Sequence, residues 1–115
     1  MRRYQGIDGL SEPTFRTGDD QWVSLDTVVW RVVRALGGGV SPLVAKCTIQ
    51  LSRHAVSGLE HVDIGRLARD VSMALRPERI VVTPPVVHAI LLAYVTEVQD
   101  LGVVQVAEGY EPLRA

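Results

Sequence analysis

Cys47 and His54 are the pair whose side-chain types could cooperate in nucleophilic or metal chemistry, and their spacing argues against both. They stand seven residues apart in a stretch of helical pattern, so they share a face but lie about 10 Å apart, two turns along the axis. One metal ion needs each of its ligands within roughly 2.0–2.3 Å. Glu60, His61 and Asp63, in LEHVDI, offer ligands in a loop but not the spacings that mark a zinc site. Cys47 falls at an inward-facing position and reads as a small core residue. Paired carboxylates suited to acid–base work are missing, since Asp19 and Asp20 belong to a stretch without periodicity. The glycines 37 to 39 precede a helix without the lysine or the spacing of a phosphate-cradling loop, and they read as a helix stop. His88 reads as a solvent-exposed or interface histidine. These residues point to no catalytic centre, no metal and no cofactor.

The remaining chemistry is cationic. Arg66 and Arg69 are neighbours on one helical face, Arg76 follows two turns later, and with Arg79 and Arg53 they form a set that could contact phosphates. Asp63, Asp70 and Glu78 are interleaved with them, which is the pattern of a solvated face. With 12 basic and 13 acidic residues the net charge is −1, so no overall field draws nucleic acid or an acidic membrane from a distance. Lys46 is the sole lysine, a bias that a GC-rich genome explains as readily as function does.

The elements that must position these residues follow from caps and periodicity. Residues 1–20 are polar, with Gly6, Gly9, Pro13 and Gly18 and no sustained period, and are expected to form an irregular arm. Ser24 can cap a first helix carrying Leu25, Val28, Val29, Val32 and Leu36 on one face. Ser41 and Pro42 open a second, closed by Gly58, with Leu43, Val44, Cys47, Leu51 and Ala55 inward and Lys46, Gln50 and Arg53 pointing elsewhere. Asp63 caps a third, with Ile64, Leu67, Ala68, Val71 and Leu75 inward and Arg66, Arg69, Asp70 and Met73 outward. Residues 80–82, Ile-Val-Val, suit a short strand. Thr83, Pro84 and Gly102 bracket a fourth helix, and 103–107 has strand composition. The expected fold is mainly α, four helices with short β-strands, in a single domain over 21–115.

At 115 residues, 47% apolar and 22% charged, the chain can bury one core without disulfides or metals. A single cysteine permits no internal disulfide and fits a reducing compartment. The N-terminus lacks the apolar run of a signal peptide, and no segment approaches the ~20 apolar residues of a membrane span. The expectation is a cytoplasmic protein without membrane contact.

The order helix, turn, helix, then a strand after a glycine, and the phrase EVQDLGVVQV in particular, resembles the winged-helix family over about residues 40–112. The resemblance implies a winged helix-turn-helix in which 84–101 is the recognition helix and a β-hairpin wing follows. The sequence beyond Glu111 offers no clear partner for the strand after Gly102. A recognition helix should also present arginine, lysine, asparagine or glutamine to a duplex. Here Val87, Ile90, Leu91, Tyr94, Val95, Val98 and Leu101 fill a broad apolar face. The other side carries His88, Ala89, Leu92, Ala93, Thr96, Glu97, Gln99 and Asp100, with no lysine or arginine. Such a helix is expected to be buried on both sides, by its own chain or by a partner. Trp30, with Val33, falls opposite the main stripe of the first helix, which suggests a sandwiched helix or a contact surface.

Two functions follow as expectations. The first is a non-catalytic interaction or assembly module, regulatory in kind, forming a homodimer or meeting a protein partner through Trp30, Val33, Ala89, Leu92 and Ala93. The second is a dimeric DNA-binding regulator using Arg53, Arg66, Arg69, Arg76 and Arg79.

Overall fold

A computed structural model describes residues 12–107 of the chain. The order is β1 (Thr14–Thr17), β2 (Trp22–Ser24), α1 (Leu25–Ala35), α2 (Pro42–Leu51), α3 (Ile64–Ala74), α4 (Pro84–Leu101) and β3 (Val103–Ala107), with short 3-10 turns at Arg53–Ser57 and Arg76–Glu78. The fold is mainly α, four helices beside a small antiparallel sheet. Among the described residues no helix is long and apolar enough to cross a membrane.

Side-chain caps start three of the helices. Ser24 Oγ accepts from the Thr27 amide at 3.2 Å, Ser41 Oγ from Leu43 at 3.2 Å, and an Asp63 carboxylate oxygen from Arg66 at 3.0 Å. Each satisfies an amide that the first helical turn would otherwise orphan. Thr83 precedes α4 in extended conformation but makes no such bond, so α4 begins on its two prolines, whose missing N–H groups leave fewer donors to satisfy. Gly102 ends α4 at φ 73°, a left-handed conformation that costs a side-chain-bearing residue more than it costs glycine.

α4 is the central element. Its buried Val87, Ile90, Leu91, Tyr94 and Val98 face α1, α2 and α3 together. The sheet closes one end: Phe15, fully buried, meets the Tyr94 ring edge-on with centroids 6.2 Å apart.

The structure departs from the sequence expectations at four places. Residues 14–17, expected within an irregular arm, form the middle strand of the sheet, in the order β2-β1-β3. Phe15 pairs with Val23 on one side and Val106 on the other, so one buried aromatic fixes the register of all three strands. β1 is thereby the described partner of β3, drawn from the opposite end of the chain. Residues 80–82 join no described strand: Ser72 occupies the Val82 backbone, its Oγ accepting from the Val82 amide at 2.9 Å and donating to the Val82 carbonyl at 3.2 Å. α2 stops at Leu51, short of Gly58, where the Ser52 hydroxyl takes the Thr48 carbonyl and the chain tightens into 3-10 geometry.

The fourth departure is Lys46, buried with Gln50 although both were expected to point away from the core. Its stem packs inside, and its ammonium emerges where Asp26 of α1 waits at 3.1 Å and Glu12 at 3.2 Å. An apolar stem with an anchored head lets α2 be covered nearly all round.

Candidate interaction surfaces

Cys47 is fully buried, and burial lifts its thiol from the usual 9.0 to about 11. It therefore stays protonated and out of reach at neutral pH, the state of a structural cysteine rather than a nucleophile. Burial likewise pushes the Tyr94 phenol above its usual 10, against a smaller opposing pull from Arg53. The phenol donates to the Arg53 carbonyl at 2.8 Å, tying α4 to the turn after α2. His54 and His61 line an open cleft of about 440 Å³ whose apolar wall includes Leu51, Ala55 and Leu67. Among the described residues no group of three histidines, cysteines or carboxylates is placed to hold a metal.

The outer face of α4 sets an apolar cluster around Leu92 between exposed His88 and Thr96, with Gln99 and Asp100 exposed toward the helix end. Leu92 is 49% exposed, Val86 is exposed, and Ala89 and Ala93 are half-buried beside them. Thr96 donates its hydroxyl to the Leu92 carbonyl at 3.0 Å. Glu97 lies on one flank, where Arg31 of α1 donates to it at 2.9 Å. No described element covers the cluster. Its small residues would let a second helix approach at the short end of the usual 8–10 Å spacing.

Trp30 is 60% exposed but belongs to another surface. It lies one turn beyond Asp26, on the edge of α1 where Asp26 meets Lys46 of α2, whereas Arg31 on the opposite flank reaches α4. Val33, expected at a contact surface, is only 6% exposed and belongs to the core. The cause is that α1 is packed against both α2 and α4, which widens its buried arc to include Val33. Of the five predicted contact residues, Ala89, Leu92 and Ala93 come together, Trp30 stands apart and Val33 is withdrawn.

The arginines divide in a similar way. Arg53 donates to the Gln50 carbonyl, and Arg66 lies on the His54 cleft with Asp70 at 4.0 Å. Arg69, Arg76 and Arg79 converge on a separate groove of about 450 Å³, built by α3 and the turn leading to α4. Between them lie Met73, 65% exposed, and Val81, 84% exposed. These two apolar residues are absent from the sequence-derived site. The signal available was Met73 at an outward helical position between Arg69 and Arg76; Val81 was hidden within a run that read as strand.

No protein-family model, curated protein or solved structure matches this chain.

Proposed function

We propose that the chain is a non-catalytic, self-associating interaction module of the cytoplasm, regulatory in kind and winged-helix-like in its second half, whose self-contact is the outer face of α4. The observation that carries this reading is the exposure of Leu92 and Val86 beside half-buried Ala89 and Ala93, on a helix that carries no lysine or arginine. Removing such a cluster from water is favourable at roughly 25 cal/mol per Å² of apolar area. The order α2, α3, α4, β3, with β3 seated in an antiparallel sheet, supports the winged-helix comparison.

Size sets the strength of the contact. α4 has 18 residues, so its outer face is about 27 Å long and about 10 Å wide. That is on the order of 300 Å² per chain, well below the ~800 Å² per partner of a standard interface. The self-contact is expected to recruit flanking residues and to dissociate in the micromolar range. A soluble nitroxide in methyl NMR tests it. At high protein concentration the Leu92 methyls should escape broadening while the Val81 methyls and the Trp30 indole are quenched, and dilution should expose Leu92. Leu92 methyls quenched at every concentration would refute the reading.

A DNA-binding role is the second reading, favoured by the convergence of Arg69, Arg76 and Arg79. Steep salt dependence in a gel shift, lost on replacing Arg69 and Arg76 with alanine, would support it.

A further inference from the structure

The groove between α3 and the turn before α4 brings three arginines together around two exposed apolar side chains. We propose that it docks a short acidic segment of a partner protein, whose carboxylates meet Arg69, Arg76 and Arg79 while a bulky apolar side chain covers Met73 and Val81.

The charges point to this occupant. Arg16, Arg31 and Arg66 each face a carboxylate of their own chain. Around Arg69, Arg76 and Arg79 no carboxylate among the described residues lies in ion-pair range, although the chain as a whole carries a net charge of −1. Three guanidinium groups with no ion-pair partner among the described residues are complementary to an acidic ligand, and arginine holds carboxylates in bidentate geometry.

The floor narrows the choice further. Met73 and Val81 are the most exposed large apolar side chains among the described residues. A sugar–phosphate backbone would satisfy the arginines but leave both facing polar atoms. A peptide that alternates acidic and apolar side chains satisfies both, and methionine adapts its shape to varied apolar partners. The groove is also held in shape before any ligand arrives: Ser72 fastens the Val82 backbone on one side, and Arg79 ends its turn in a left-handed conformation at φ 60°. Preformed walls reduce the ordering cost of binding.

Fluorescence anisotropy on the full chain tests the proposal with a labelled peptide in which glutamates flank two leucines. Three controls accompany it: glutamine in place of glutamate, serine in place of leucine, and a short DNA duplex. The acidic–apolar peptide should bind saturably and weaken with salt. Either peptide control should bind about tenfold more weakly or worse, one decade being about 1.4 kcal/mol. Arg69→Ala combined with Arg76→Ala should cost about tenfold, and Met73→Ser about threefold, with thermal melting unchanged. No saturable binding, equal binding of the glutamine peptide, tighter binding of the duplex, or indifference to the arginine pair would each overturn the proposal.

Discussion

The side chains that decide the interior are those whose polar ends find a fixed partner. Tyr94 is the largest fully buried side chain among the described residues, and its hydroxyl bonds the Arg53 carbonyl at 2.8 Å. Tyr94→Phe keeps the ring against Phe15 but removes that hydrogen bond, and should cost about 1 kcal/mol in urea denaturation. Lys46 poses a different question, because its head is anchored while its carboxylate partners remain largely accessible to water. Lys46→Met should cost less than about 1 kcal/mol, since Asp26 and Glu12 can rehydrate; Lys46→Ala should cost about 2–3 kcal/mol through lost packing. Equal losses in the two variants would show that the ion pairs, and not the stem, hold α2. The helical period placed Cys47 inward correctly and misplaced Lys46, because periodicity assigns a charge to solvent and has no means of seeing a carboxylate on another helix.

Alkaline pH gives a second test at this scale. Burial raises the Cys47 thiol from 9.0 to about 11 and the Tyr94 phenol above 10. The folded chain keeps protons that the unfolded chain surrenders earlier, so these groups stabilise the fold fully below pH 9. That contribution should decline as pH rises from 9 through 11, and continue to fall above 10 as unfolded Tyr94 ionises. Urea midpoints measured across this range should drop, and Cys47→Ala should flatten the earlier part of the decline. A midpoint constant to pH 11 would contradict the account.

At the scale of elements, the helices were legible and their connections were not. Ser24, Ser41 and Asp63 sit at helix starts where their hydroxyls and carboxylate can bond amides two or three residues on, a purely local signal. β1 could not be read so simply, because its four residues gain strand character only by pairing with Val103–Ala107 at the far end of the chain. Residues 80–82 show the reverse error: β-branched composition suggested a strand, and one serine on α3 claimed the backbone instead. Ser72→Ala removes both bonds and should cost about 1–2 kcal/mol. It should also raise amide hydrogen exchange at Val82 more than at Val28 in α1, whereas uniform acceleration would mean that Ser72 supports the whole fold and not the connection alone.

For the whole molecule, two exposed surfaces differ in chemistry and are expected to differ in task. The outer face of α4 carries no lysine or arginine, whereas the groove beside α3 is ringed by arginine. The sequence revealed the first, because a helix apolar on both sides needs a cover and its period shows that directly. It revealed only half of the second: the arginines stood out, but the apolar floor between them depends on how the turn before α4 folds back over α3. Equilibrium sedimentation of the wild-type chain beside Leu92→Glu tests the central claim most directly. The account predicts a wild-type mass rising from one chain to two across micromolar concentrations, and a Leu92→Glu variant that melts normally yet keeps the mass of a single chain throughout. A wild type that stays monomeric at every concentration, or a variant that dimerises as well as its parent, would contradict it.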